Sequence, residues 1–187
     1  MRVLLDANVL YPTVTREVLL GCAALGLFEP LWSARILEEW ARAAARLGPE
    51  GEAVARGEVA AARLSFPGAE VRVPDGVERR LWLPDPDDVH VLAAAVAGSA
   101  EAILTANAKD FPRKVLAEEG LLRLDPDHFL AGLAEGARDA VGGVVDASVA
   151  EARRLSGEGW TRAGLLKKAR LTRLSKTLAR LGDQAAS

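Results

Sequence analysis

An α/β fold built on a parallel sheet is predicted by three observations. Short apolar runs bounded by turn residues recur at Arg2–Leu5, Glu29–Trp32, Ala102–Thr105 and Leu121–Leu124. Stretches with apolar residues at helical spacing separate them, and crossovers through helices make neighbouring strands parallel. After the last of these runs only helical patterns follow. The expected fold class is therefore α/β, a central parallel sheet flanked by helices, with a helical C-terminal extension.

Each element has a local reason. Arg2–Leu5 is a buried strand, and Pro12 suits the first turn of a helix from Thr13 to about Leu25, ended near Gly26. Ser33 is an N-cap for a helix with Ile36, Leu37, Trp40, Ala44 and Leu47 on one face, closed by Gly48-Pro49. An alanine-rich helix follows from about Glu50 to Leu64. Glu70–Val73 alternates polar with apolar and reads as a strand. Asp87-Asp88 opens the apolar helix Val89–Ala97, a placement favoured by the positive end of the helix dipole. Pro112 begins another helix, and Asp125-Pro126 opens the next. Gly142-Gly143 is expected to break the pattern before three short helices at Asp146–Leu155, Thr161–Ala169 and Leu171–Leu181. The expected division is a domain over residues 1–130 and a helical, basic region over 131–187.

The chain has 187 residues, half of them hydrophobic and 27% charged, enough for a sizeable core and against disorder. Its single cysteine, Cys22, excludes an intramolecular disulfide and a cysteine-based zinc site. The lone thiol reads as a small apolar helix residue. With only His90 and His128 present, histidine-rich metal chemistry is not expected either. His90 reads as structural or at a cleft rim, and His128 as a surface residue. No signal peptide and no membrane-spanning run are recognised, so a soluble, cytoplasmic protein is expected. The net charge of −2 conceals an asymmetry. Residues 151–187 carry nine basic and three acidic side chains, a net +6, leaving −8 on the rest.

The acidic residues fall where parallel sheets place ligand sites, beyond the carboxyl ends of strands. Asp6 directly follows the first strand and Asp110 lies just past another. Asp88 begins a helix that would face the same crevice, and Glu39 sits on the helix after the second strand. Such carboxylates would repel one another unless a cation held them, and oxygen-only ligands suit Mg²⁺ or Mn²⁺. Taken singly, Asp88 could be a helix cap, Asp110 a turn residue and Glu39 one solvated helix position. Asp6 resists that reading, because a carboxylate closing a buried apolar strand is costly without a partner.

Four segments, in order, resemble the motifs of PIN-domain nucleases. Val3-Leu4-Leu5-Asp6-Ala7-Asn8-Val9-Leu10 is similar to the opening strand followed by Asp-x-Asn. Ser33-Ala34-Arg35-Ile36-Leu37-Glu38-Glu39-Trp40 resembles the helix that carries a glutamate. Asp85-Pro86-Asp87-Asp88 with Val91-Leu92-Ala93-Ala94-Ala95 looks like the third motif. Ile103-Leu104-Thr105-Ala106-Asn107-Ala108-Lys109-Asp110-Phe111-Pro112 looks like the fourth, with asparagine at its first acidic position. The resemblance spans about residues 1–128. It implies a PIN-like three-layer fold and metal-dependent phosphodiester hydrolysis. Asp6, Asp88 and Asp110 would be metal ligands, with Glu39 a ligand through water or a general base. Asn8, Thr105, Asn107 and Asp87 would orient those groups from behind. Asp87 competes with Asp88 and Glu38 with Glu39, and spacing to the apolar helix face favours the second of each pair.

The basic extension alternates cations with leucines at helical spacing. Arg153, Arg154, Lys167, Lys168, Arg170 and Arg173 are candidates for contact with RNA or with an acidic partner, against a plain solvated face. Trp160 is an anchor candidate. Most short bacterial PIN proteins are VapC-type toxins that cleave RNA and are silenced by a small antitoxin protein, so this resemblance implies an endoribonuclease toxin, a small antitoxin and a homodimer. The alternatives are a housekeeping RNA-processing nuclease and a catalytically silent RNA- or protein-binding module.

Overall fold

The computed structural model describes residues 1–48 and 50–185. Four strands, β1 (Arg2–Leu5), β2 (Glu29–Leu31), β3 (Ala102–Leu104) and β4 (Leu122–Leu124), form one parallel sheet in the order β2-β1-β3-β4. The register pairs Leu4 with Leu31 and Ile103, and Leu5 with Leu104. Val3, Leu4, Leu5, Ile103 and Leu104 are fully buried. Each such leucine contributes about 1.5–3 kcal/mol over leaving it in water. The two central strands are therefore continuous apolar runs, as the sequence pattern requires.

The described chain divides into two compact units. The first, Met1–Tyr11 with Phe28–Leu124, contains the whole sheet. Its helices are α1 (Ala7–Leu10), α3 (Ala34–Ala44), α4 (Gly51–Ser65), α5 (Val89–Ala97) and α6 (Arg113–Glu118). The second takes α2 (Thr13–Ala24) together with α7 (Pro126–Gly136), α8 (Arg138–Ser156), α9 (Arg162–Lys168) and α10 (Thr172–Ala185). Placing α2 with the C-terminal helices is a grouping that sequence order conceals.

Within the first unit, α5 packs on β1 and β3, α6 on β4, and α3 against α1 and α4. Ser33 caps α3 as expected, its Oγ accepting from the Ile36 amide at 3.2 Å, a contact worth about 1 kcal/mol. The helix then buries Ile36, Leu37, Trp40, Ala41 and Ala44. A short 3₁₀ turn, Ala45–Leu47, ends at Gly48, whose φ of 123° suits glycine. Pro49, expected to share in that stop, lies outside the described residues.

Two expectations are corrected. Glu70–Val73 is not a strand: Trp32 and Glu70 form an isolated parallel bridge, with Trp32 donating to Ala69 and Val71 donating to Trp32. The alternation is present, but with one bridging pair it makes no ladder. Gly142-Gly143 does not interrupt a helix either, since α8 runs through both from Arg138 to Ser156. Val141, Gly142, Val145 and Val149 are buried along it, and that packing outweighs a penalty of about 1 kcal/mol per glycine.

In the second unit, α2 packs against α8, where Gly21 provides the close approach. A Cβ there would lie 2.5 Å from Val144 Cγ1. Cys22 is buried in α2, and burial pushes its thiol up to about 11. The leucine pattern of the extension is a core stripe, with Leu165, Leu166, Leu171, Leu174 and Leu178 buried. Asp127 on α7 accepts from the first amides of α10, Arg173 N at 2.8 Å and Leu174 N at 2.9 Å.

Candidate functional site

The site grows from the carboxyl ends of β1 and β3. The Asp6 amide continues the β1–β3 pairing by donating to the Leu104 carbonyl at 3.1 Å. This places the Asp6 side chain, only 5% exposed, beside Thr105. Thr105 Oγ1 donates to Asp6 Oδ2 at 2.7 Å, and Asn8 Nδ2 donates to the same oxygen at 2.5 Å. Asn8 also accepts from the Ala106 amide through Oδ1 at 3.0 Å, and Thr105 Oγ1 accepts from the Asn107 amide at 3.0 Å. Burial raises the Asp6 pKa, partly offset by the donors around it. The carboxylate is thus held, but at an electrostatic cost.

Asp88 ends a 3₁₀ turn, Pro86–Asp88, and stands at the N-terminus of α5. Asp85 caps that turn by accepting from the Asp87 amide at 3.0 Å. Asp85, Asp88 and Asp110 each offer a carboxylate oxygen, all within 4.8 Å of one another. Burial, and then the charges of Asp6, Asp85 and Asp110, push Asp88 up to about 6. Asn107 Nδ2 donates to Asp110 Oδ2 at 2.7 Å and reaches Asp88 Oδ2 at 3.5 Å. An amide thus bridges two of the three acids.

Glu39, on α3, is half-buried and its Oε1 meets two donors, His90 Nε2 at 3.0 Å and Arg35 Nε at 3.2 Å. Burial raises its pKa, but the His90 hydrogen bond and Arg35 outweigh that, and the net direction is downward. Arg35 also reaches the Asp87 carbonyl through Nη2 at 3.4 Å, tying α3 to the acidic turn. Glu38 is taken up instead by Arg42 and Arg56, which lower its pKa to about 2.

The structure therefore gathers Asp88 and Asp110 with Asn107, and Asp6 with Asn8 and Thr105. The negative charge of Asp6 acts on Asp88, and that of Glu39 acts on Asp6. The side chain of Asp87 is exposed and lies outside the three-carboxylate group. Asp85 stands in the third motif but was not singled out from the sequence, where Asp88 and Asp87 were weighed as the acids of that segment. Its signal was the Asp-x-x-Asp spacing across a single turn. His90 reads from the sequence as structural or at a cleft rim, and its partner on a distant helix could not be seen.

Of the basic candidates in the extension, Arg153 donates to the Trp160 carbonyl at 2.6 Å and Arg154 pairs with Glu151 at 2.7 Å. Lys168 lies over the Trp160 ring at 4.6 Å. Lys167, Arg170 and Arg173 are exposed, and their side chains have no carboxylate partner among the described residues. His128 is exposed beside Asp125.

A profile of the PIN domain matches residues 2–109. The chain belongs to the PIN-domain family. Searches of curated proteins and of solved structures find no match. PIN domains are in general metal-dependent nucleases, and the acidic triad of this PIN domain is of the right chemistry for that class. Its donor set is oxygen only, which fits a hard divalent cation that keeps part of its water shell. The upward push on Asp88 is a second sign of fit, since a cation offsets both the burial of its charge and the repulsion from Asp6, Asp85 and Asp110. Among the described residues no helix is long and apolar enough to cross a membrane.

Proposed function

We propose that this PIN domain is an endoribonuclease that hydrolyses RNA phosphodiester bonds with Mg²⁺ or Mn²⁺. The observation that carries the reading is the convergence of Asp85, Asp88 and Asp110 beside a buried, donor-held Asp6 at the carboxyl end of the central strands. In this reading Asp6, Asp88 and Asp110 supply metal ligands, and Asp85 joins them. A divalent cation bound there lowers the pKa of a water and offsets charge on the phosphate oxygens. Asn8 and Thr105 hold Asp6 Oδ2, and Asn107 holds Asp110, so each acid keeps its orientation. Glu39 has its Oε1 fixed by two donors, and Oε2 has no donor among the described residues. A carboxylate with a lowered pKa orients and polarises water better than it stores a proton, so Glu39 acts chiefly as an acceptor.

The biological role follows the resemblance: the toxin of a type II toxin–antitoxin pair, cytoplasmic, homodimeric and silenced by a small antitoxin protein. The nuclease portion is residues 1–130, and the basic helices of 131–187 contact the RNA backbone. Incubating purified protein with labelled RNA tests the chemistry. Cleavage should need Mg²⁺ or Mn²⁺, stop with EDTA and vanish in Asp110→Asn. Growth arrest on induction, relieved by Asp88→Ala, tests the toxin role, and unimpaired growth counts against it.

A further inference from the structure

His90 is the sole polar residue of α5, which otherwise reads Val89 and Val91-Leu92-Ala93-Ala94-Ala95-Val96-Ala97. It is only 4% exposed, and its Nδ1 is buried without a hydrogen-bond partner. The other ring nitrogen, Nε2, meets Glu39 Oε1 at 3.0 Å. A buried imidazole with one nitrogen unsatisfied is a poor stabiliser, and an apolar residue would fill that position at less cost. What the imidazole supplies that an apolar residue does not is a donor for Glu39.

We infer that His90 is a positioning residue for the reaction, acting through Glu39. The inference rests on the nuclease reading above and adds to it a role for a residue that touches neither the acidic triad nor Asp6 in any hydrogen bond. Arg35 shares the task from the solvent side, but its side chain is exposed. His90 is fixed by the helix packed on β1 and β3. With both donors on Oε1, the carboxylate plane is set, and Oε2 is left for the water or substrate. Losing the buried donor frees the carboxylate to rotate toward Arg35 alone. Partners that orient a catalytic or ligand group in this way typically matter by about ten- to a hundredfold.

The experiment is steady-state RNA cleavage in Mg²⁺ for wild type, His90→Leu, His90→Gln, Glu39→Gln and the His90→Leu/Glu39→Gln double variant, each with a melting curve. His90→Leu should lower kcat by at least about tenfold with KM within about twofold, while its Tm stays at or above that of wild type. His90→Gln, which keeps an N–H donor, should recover part of that loss. The double variant should be no slower than Glu39→Gln alone, because His90 acts through that carboxylate. A kcat for His90→Leu within twofold of wild type overturns the inference, as do losses that multiply in the double variant. Should His90→Leu fail to fold, His90→Asn, polar but too short to reach Glu39, must show the same kcat loss or the inference fails. Wild type that cleaves no RNA with either metal sinks the nuclease reading and this role with it. Wild type that cleaves, with Glu39→Gln impaired and His90→Leu intact, sinks the role alone.

Discussion

One amide nitrogen, Asn107 Nδ2, spans two carboxylates, Asp110 Oδ2 at 2.7 Å and Asp88 Oδ2 at 3.5 Å. It supplies a donor where a fourth acid would add charge, and so lowers the repulsion within the cluster. Asn107→Asp should reverse that balance. The protein without metal should melt lower, since another like charge joins Asp85, Asp88 and Asp110. Mn²⁺ should bind more tightly, by about tenfold for each 1.4 kcal/mol of added attraction. Isothermal titration of Mn²⁺ with melting curves in EDTA checks both signs, and unchanged affinity would remove the bridging role.

Asp6→Asn should separate stability from function. Burial penalises the charged Asp6, so a neutral amide of the same shape relieves that cost. An oxygen in place of Oδ2 can still accept from Thr105 and Asn8. The Tm in EDTA should therefore hold or rise, while RNA cleavage falls by at least about a hundredfold through loss of a charged metal ligand. A variant that melts well below wild type and still cleaves would show Asp6 to be structural.

The Asp88 carboxyl lies near 6, above its usual range, so the folded protein binds this proton more tightly than the unfolded chain. Its contribution to stability is therefore fully present below the unfolded value, near 4, and is lost as pH rises through about 6. A metal-bound site has the opposite preference, because a ligating carboxylate must be ionised. Melting curves in EDTA should gain a stabilising component on acidification from pH 7 to 5. Cleavage should fall across the same interval. Asp88→Asn should remove the component, and a wild-type EDTA curve without it would contradict the assignment.

Much of the sheet and most of the acidic cluster were readable because both are written in short-range patterns. Val3, Leu4 and Leu5 are an unbroken apolar run, and Asp6 stops it at the strand end where the site lies. Ser33 could be read as a cap because the bond it makes spans one helical turn. What escaped depends on partners distant in sequence. Among the described residues Glu70 bridges only Trp32, and the burial that carries α8 through Gly142-Gly143 comes from neighbouring helices. Asp85 caps the turn that precedes α5, and only the fold brings its carboxylate to Asp88 and Asp110. The polar face of α5 is one residue wide, and only the fold shows that His90 spends it on Glu39.

Gly21→Ala sets two effects against each other. Alanine inside α2 gains about 1 kcal/mol of helix propensity. Its Cβ would lie 2.5 Å from Val144 Cγ1 on α8, closer than such atoms come, and overpacking costs about 1–3 kcal/mol. The clash should win, with Tm lower by a few degrees, at about 2–4 °C per kcal/mol for a chain of this size. Val144→Ala in the same chain should restore it. A Gly21→Ala protein that melts higher than wild type would mean the two helices separate without cost.

Lys167, Arg170, Arg173 and Lys176 are exposed and their side chains have no carboxylate partner among the described residues, whereas Arg154, Arg162 and Arg180 pair with Glu151, Asp146 and Glu135. Arg170 also holds a left-handed φ of 61° between α9 and α10. Glycine or asparagine would sit there at less cost, so an arginine kept against about 1 kcal/mol of strain is consistent with a use for its guanidinium. If that use is the RNA backbone, replacing all four with glutamine should weaken RNA binding about equally for different sequences. The slope of log Kd against log salt should shrink by about 0.7 for each phosphate of single-stranded RNA that the variant no longer neutralises. Arg154→Gln, whose guanidinium is already neutralised by Glu151, should leave that slope unchanged. Equal slopes for the fourfold variant and wild type would confine the RNA-binding charge to other residues.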